Sequence, residues 1–558
     1  MPRLPKFLLL ALALAGLSPY DAFADRKTVC TITVNSPDER ETFRRSMPAD
    51  QFDFVELVER GRPDWLAAAC RKGVRCDALL ISGHFDGGDE FYSDRVDARE
   101  SLPVSEMERV SCSDSCPGLF SRLKEVYLFG CNTLNAEPAR TVSAEIVRAL
   151  IRSGHSAADA ERLAEILRER HAETNRDRMR QIFKDVPVIY GFSSKAPLGR
   201  SAAPVLERYF QGGGVAEVAS GRASGKLLTL FAPVSMTVTA GSSDADAQAA
   251  YRQDVCHFAD DRLSSEQKVD FVHQLLGRDM AEVRMFLDRL EKYASTFGAT
   301  TEERAASAPP PAAIAADRSA RTRYVEFMRD VDEPAVRARM IALAERFGWL
   351  SDSEKHSELV RMIGDQLARS DTGAAEVDAI CMLNRERSLD DAASTVDLAP
   401  SRMQDPGRTA VLACLGDRDA RGRVLQGLTS GRERDVEIAH VYLRHRPAMD
   451  VNELRVLATA IVRMKNAEGQ ARALETLASH GGLSDRESLE VLTGLFPVTK
   501  SLDVQRAIAG ILIRADYEAF AKPEFVRALQ QHRLKSSDGR DLIDVLIHRL
   551  QANLAPAA

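Results

Sequence analysis

The chain has 558 residues, of which 44% are hydrophobic and 28% charged, with a net charge of −7. That length exceeds one hydrophobic core and calls for roughly two to four domains. Acidic and basic residues are intermixed, which argues against a nucleic-acid footprint or a basic membrane patch.

The N-terminus carries Arg3 and Lys6, an apolar run from Phe7 to Leu17, and then Ala22-Phe23-Ala24. This is the pattern of a secretory leader with a small-residue cleavage site, so residues 1–24 are assigned to a signal peptide. The apolar run is short for a bilayer span, and no other segment is suited to one. The mature chain is expected to begin near Asp25, exported to the periplasm or the extracellular space, with no membrane span once the leader is removed.

β-branched residues from Thr28 to Asn35 predict a strand. A short helix over Pro37 to Arg45 and a strand over Phe52 to Val58 follow. Pro63-Asp64-Trp65 opens a helix to Lys72, with Gly73 as its C-cap. Ala78 to Ser82 reads as a buried strand running into Gly83-His84. A polar excursion from Asp86 to Pro117 is expected to contain a hairpin. Glu125 to Phe129 is another apolar strand, and it stops at Gly130-Cys131-Asn132-Thr133. Helices are predicted over Thr141 to Ser153 and, highly charged, over Ala157 to Phe183. Val186 to Phe192 is a strand leading into Ser193-Ser194, and Ala203 to Phe210 a helix ending in three glycines. His155 and His171 lie in the charged helical stretches and read as surface residues.

This alternation predicts an α/β domain over 25–242, a doubly wound and mostly parallel sheet. A β-like stretch from Leu227 to Thr239 closes it. Residues 243–304 read as a helical connector, and 305–321 as a Pro/Ala-rich extended linker. From 322 to 553 everything reads as helix. Asp435-Val436 and Asp503-Val504 open similar helices 68 positions apart, and Leu454 to Leu457 echoes Leu489 to Leu492 at an offset of 35. Two offsets in register predict a HEAT-like α-solenoid, with a protein partner on its surface.

Nine cysteines stand at 30, 70, 76, 112, 116, 131, 256, 381 and 414. In an oxidising compartment they tend to pair, and an odd number leaves at least one thiol over. Connectivity does not follow from sequence, but the short spacings suggest local bridges, Cys70 with Cys76 and Cys112 with Cys116. A zinc site at Cys112 and Cys116 lacks a second ligand pair, and no metal or cofactor is expected. Gly-x-x-x-x-Gly-Lys-Ser/Thr, His-Glu-x-x-His and Gly-x-Ser-x-Gly patterns do not occur.

Chemistry is expected where strands end, because ligands of open α/β sheets bind beyond the carboxyl ends of strands. His84 and Cys131 occupy equivalent ends, each after a glycine, 47 positions apart. An imidazole and a thiol there make a base and a nucleophile. Taken singly, Cys131 reads as a core cysteine or one closed in a disulfide, and His84 as an idle strand end.

These motifs resemble the caspase–hemoglobinase superfamily (clan CD) of cysteine peptidases, and the run Cys131-Asn132-Thr133 is similar to that of CHAT domains. The resemblance covers about residues 28 to 240. It implies a protein or peptide substrate, Cys131 as nucleophile and His84 as base. It also implies an oxyanion site at the N–H groups of Cys131 and Phe85 beside Gly83, and a specificity pocket lined by Tyr190, Ser193 and Ser194. One departure stands out: the family has glycine directly after the histidine, where this chain has Phe85, with Gly87-Gly88 close by. Asp86 and Asp89 follow; they would favour a basic substrate residue or simply face solvent. The alternative is a caspase-like protein without activity that works as an interaction scaffold through its helical repeats.

Overall fold

The computed structural model describes residues 26–62, 64–85, 88–94, 100–113, 116, 118–137, 144–171, 174–296, 312–369, 372–395, 405–447, 450–480, 485–515, 522–535 and 541–554. The expected leader, Pro63, Asp86, Gly87 and residues 305–311 of the expected linker lie outside them. One compact unit runs to Arg289 and a second begins at Leu290. Among the described residues no helix is long and apolar enough to cross a membrane.

The first unit is built on strands β1 (Lys27–Thr33), β2 (Phe52–Glu56), β3 (Ala78–Ser82), β6 (Glu125–Phe129), β7 (Val188–Phe192) and β8 (Met236–Thr239), in the order β2-β1-β3-β6-β7-β8. The first five are parallel and β8 is antiparallel to β7. Strands β3, β6 and β7 are buried along their whole length, while β2 and β8 at the edges are mostly half-buried. Continuous apolar runs thus take the middle of the sheet, where both faces are covered.

Alternate residues of each strand feed two separate cores. Leu79, Ile81, Val126, Leu128 and Ile189 pack with Leu66, Met107 and Ile182 on one face. Leu80, Tyr127, Phe129, Tyr190 and Phe192 pack with Phe43, Leu206 and Phe231 on the other. The doubly wound arrangement follows from this division.

Several local expectations are corrected. The polar excursion holds the expected hairpin, β4 (Glu90–Tyr92) with β5 (Ser101–Pro103), but then a helix, Val104–Cys112, buried through Val104, Met107 and Val110. The single helix expected from Ala157 to Phe183 is two, Ala157–Arg170 and Asn175–Ile182. The second starts where the Thr174 side chain accepts the N–H of Asp177. Leu227 to Phe231 is helix (Gly225–Phe231), capped by Ser224, and only Met236–Thr239 is strand.

Of the stretch expected to be a connector, 243–304, the part up to Arg289 belongs to the first unit and the rest to the second. Arg252 in helix Ala249–Ala259 donates to the carbonyl of Ser111, and Arg289 forms a two-pronged pair with buried Glu108 at 2.9 and 3.0 Å. His171, expected at the surface, is buried between the rings of Tyr251 and Phe286, and burial lowers its pKa.

The disulfides depart from the local pairing of Cys70 with Cys76 and of Cys112 with Cys116. The bridges are Cys30–Cys76, Cys70–Cys116, Cys112–Cys256 and Cys381–Cys414, with Cα separations of 5.0–5.6 Å. The physical reason is the fold. Cys76 lies two residues before β3 and meets Cys30 on neighbouring β1, while Cys70, in the last turn of helix Trp65–Arg71, meets Cys116. Cys112 ends its own helix against helix Ala249–Ala259.

The second unit is helical. Helices Pro334–Arg346, Ala374–Leu383, Glu433–His445, Ala467–His480, Leu502–Arg514 and Leu542–Leu554 each pack on the next. Helix Pro406–Cys414 lies against the second and third of them, held to the second by Cys381–Cys414. The sequence echo of 35 positions corresponds to helices Val451–Val462 and Arg486–Thr493, which pack together. In place of an extended linker, Ala312–Ala316 is a short helix whose buried Ile314 accepts the indole N–H of Trp349.

Candidate active site

Strands β3 and β6 are hydrogen-bonded neighbours with Ser82 opposite Phe129, and the pairing continues one residue further through Gly83 N–H to the Phe129 carbonyl at 3.1 Å. His84 and Cys131 each lie two residues past that last rung. Strand alternation gives them the same side: His84 continues the row Ala78, Leu80, Ser82, and Cys131 continues the row Tyr127, Phe129. Gly130 is required by this closeness. A Cβ there would come within 2.9 Å of Phe85 Cβ and 3.0 Å of the Gly83 carbonyl oxygen.

His84 is held by its backbone, which exchanges two 2.9 Å hydrogen bonds with Tyr92. Its ring is half-buried, 5.4 Å from the Tyr92 ring. The Nε2 atom lies 3.4 Å from an Asp94 carboxylate oxygen yet is buried without a hydrogen bond. The two groups are close enough to attract, but the angle between them makes no bond.

Cys131 is the free cysteine and is half-buried. Its sulfur accepts the backbone N–H of Ala196 at 3.4 Å. The residue after it, Asn132, takes the left-handed conformation at φ 59°, and its N–H reaches the Ser194 carbonyl at 2.7 Å. Thr133 Oγ1 accepts the N–H of Phe192, and Leu134 N–H donates to the Phe192 carbonyl. Gly191 admits this approach, since a Cβ there would stand 2.6 Å from Thr133 Oγ1. The thiol is thereby clamped between the ends of β6 and β7. Among the described residues no hydrogen bond joins the Cys131 thiol to the His84 ring, and the N–H groups of Cys131 and Phe85 have no acceptor.

The remaining expected residues divide. Phe85 is fully buried, its ring 4.6 Å from that of Phe91, and its φ is negative, so its backbone asks nothing that only glycine supplies. Ser193 and Ser194 are exposed at the end of β7, tied to Ser235. Gly83 and Tyr190 are corrections. The Gly83 N–H is used in the ladder and donates to nothing else. Tyr190 is a core residue stacked on Tyr127 at 5.0 Å, its hydroxyl taking the N–H of Ser224, and burial raises its pKa to about 12. Its place in β7 turns it into the sheet face instead of the cleft. Asp89 is exposed and paired with Arg178.

Three groups escaped the sequence reading. Asp94 follows the hairpin strand that carries Tyr92. Glu39 is buried beneath Ser82, which lies 2.9 Å away, and desolvation raises its pKa to about 7. Asn175 opens the helix Asn175–Ile182 and donates to the Asn132 carbonyl at 3.0 Å. The N-cap spacing Thr174-x-x-Asp177 was the available signal for that helix start. Among the described residues no group of three or more His, Cys, Asp or Glu could hold a metal ion.

Comparison with family models, with curated proteins and with solved structures gives no match to this chain.

Proposed function

We propose that the α/β unit is an exported, caspase-like cysteine endopeptidase working through a Cys131–His84 dyad. The observation that supports the reading is that the free cysteine of a disulfide-bonded chain and an imidazole each follow, by two residues, the paired ends Phe129 and Ser82 of neighbouring parallel strands. In the mechanism, the His84 ring takes the proton of the Cys131 thiol, and the thiolate sulfur bonds to the peptide carbonyl carbon. The N–H groups of Cys131 and Phe85 are the donors for the oxyanion, whose charge a water-poor site stabilises strongly. As the C–N bond breaks, the imidazolium returns its proton to the leaving amine. Water then hydrolyses the thioester, releasing the acid and restoring the thiol. The Ala196 N–H, 3.4 Å from the sulfur, helps hold it in place.

The four disulfides accord with an oxidising compartment. The stacked helices of the second unit suit a HEAT-like repeat that holds a protein partner or substrate.

The test is alkylation of Cys131 by iodoacetamide without prior reduction, over pH 5 to 9. The expected result is rapid reaction at pH 6 that slows at least tenfold in His84→Ala, with hydrolysis of an unfolded protein lost in Cys131→Ala. Reaction at the rate of a simple thiol, unaffected by His84→Ala, would overturn the proposal. That outcome would support the second reading, an inactive scaffold, which the lack of a thiol–imidazole hydrogen bond among the described residues favours.

A further inference from the structure

Helix Asn175–Ile182 reaches both loops of the candidate site. On one side, Asn175 Nδ2 donates to the Asn132 carbonyl at 3.0 Å, and the N–H of Arg176 donates to the Asn135 carbonyl at 3.0 Å. On the other, Arg178 donates to the Gly88 carbonyl at 2.8 Å and lies 3.3 Å from the Asp89 carboxylate. The Asn175 side chain also abuts Gly88, where a Cβ would come within 2.7 Å of Asn175 Oδ1. Gly88 has φ +78° and Asn132 φ 59°, so a left-handed residue lies in each loop against the same amide group.

We infer that Asn175 is a positioning residue. Its amide bridges the turn after Cys131 and the loop after His84, and so sets the distance between thiol and imidazole. The inference rests on the peptidase reading. The chemical reason lies in the Asn132 turn. A non-glycine residue in the left-handed region costs energy, and the turn persists where neighbours over-determine it. The Ser194 carbonyl holds the N–H side of that residue, and Asn175 holds its carbonyl. With the carbonyl released, the turn relaxes toward negative φ and carries the sulfur out of the place where the Ala196 N–H holds it. A shift of about 1 Å in such a pair can cost about a hundredfold in rate.

The test uses the full chain and four variants, Asn175→Ala, Asn175→Asp, Asn132→Gly and Asn175→Ala with Asn132→Gly. The readouts are the pH profile of Cys131 alkylation by iodoacetamide and hydrogen exchange at the amides of Asn132 and Leu134. Asn175→Ala is expected to slow alkylation at pH 6 about tenfold and to speed exchange at both amides about tenfold. Asn175→Asp keeps the size but sets an acceptor against the Asn132 carbonyl, and does the same. Glycine adopts the left-handed turn without strain. The double variant is therefore expected to alkylate within twofold of Asn132→Gly alone, a rescue that a general loss of stability would not give. Should Asn175→Ala be poorly folded, Asn175→Asp and the double variant carry the decision. Wild-type rates of alkylation and exchange in Asn175→Asp, or no rescue in the double variant, would overturn the inference. The His84→Ala arm judges the peptidase reading separately. Exchange at Asn132 reports the Asn175 bracket whether or not the thiol depends on His84.

Discussion

The carboxyl of Glu39 lies 2.9 Å from the hydroxyl of Ser82, two residues before His84, and the same hydroxyl is 3.2 Å from the Ser36 carbonyl. A serine has one proton to give. With Glu39 protonated, the acid donates to Ser82 and Ser82 donates to Ser36, so every group is satisfied. With Glu39 ionised, Ser82 turns to the carboxylate and the Ser36 carbonyl loses its donor.

Burial raises the pKa of Glu39 from 4.5 to about 7, the Ser82 hydrogen bond opposing and the Asp38 charge adding to the rise. The native state therefore holds this proton in a range where the unfolded chain has released it. Between about pH 4.5 and 7 stability falls as pH rises, by about 3 kcal/mol from this group. Glu39→Gln is expected to remove that part of the pH dependence and to be the more stable protein at pH 8. Urea unfolding of both proteins at pH 5 and pH 8 measures it. Equal slopes with pH would contradict the assignment.

Asp94 is two-thirds exposed while it faces His84. An ion pair with so exposed a partner is worth about 0–1 kcal/mol. Asp94→Ala is accordingly expected to slow His84-dependent alkylation of Cys131 by no more than about fivefold. A larger loss, read from the alkylation rate at pH 6, would promote Asp94 to a required partner of the imidazole.

Glu125, at the start of β6, is buried and gathers the N–H groups of Ala219, Ser220 and Gly221 at 2.9–3.1 Å together with the Tyr127 hydroxyl at 2.6 Å. Glu125→Gln sets an NH2 group among donors. Leaving buried donors unpaired costs about 1–3 kcal/mol each. The variant is expected to lose about 2–4 kcal/mol of stability, read as a lowered midpoint in urea, with β6 pulled at its far end from Cys131.

Peptide mapping without reduction is expected to recover the four cross-links and a single alkylated cysteine, Cys131. Cys112→Ser with Cys256→Ser opens a loop of 144 residues and is expected to cost roughly 2–4 kcal/mol. A second alkylated site in the wild-type chain would refute the pairing.

The strands that carry the site were legible because β3, β6 and β7 are covered on both faces, and full burial writes itself as an unbroken apolar run. Their ends were legible for the related reason that Gly83 and Gly130 stand where neighbouring tips crowd. The bridges were not. Cys30 and Cys76, and Cys70 and Cys116, are each 46 residues apart, brought together by the winding of the sheet and not by any local pattern. Tyr190 misled because residues one apart on a strand face opposite cores, and the apolar run gives no parity. Helix Val104–Cys112 hid in a polar stretch, since only its inner side is apolar. Asn175 was hidden by a charge pattern that runs through the break at Thr174.

In the second unit, the helices from Val451 to Leu554 make their main contacts with helices one or two positions away along the chain. An assembly of that kind can come apart step by step, a few helices at a time. Around Asn384 the arrangement changes. Its amide grips the Cys414 carbonyl and the Asp390 carboxylate beside the Cys381–Cys414 bond. Unfolding that reaches Glu433–His445 from the C-terminal side therefore meets a covalent brake at this point, and under reducing conditions the brake is released.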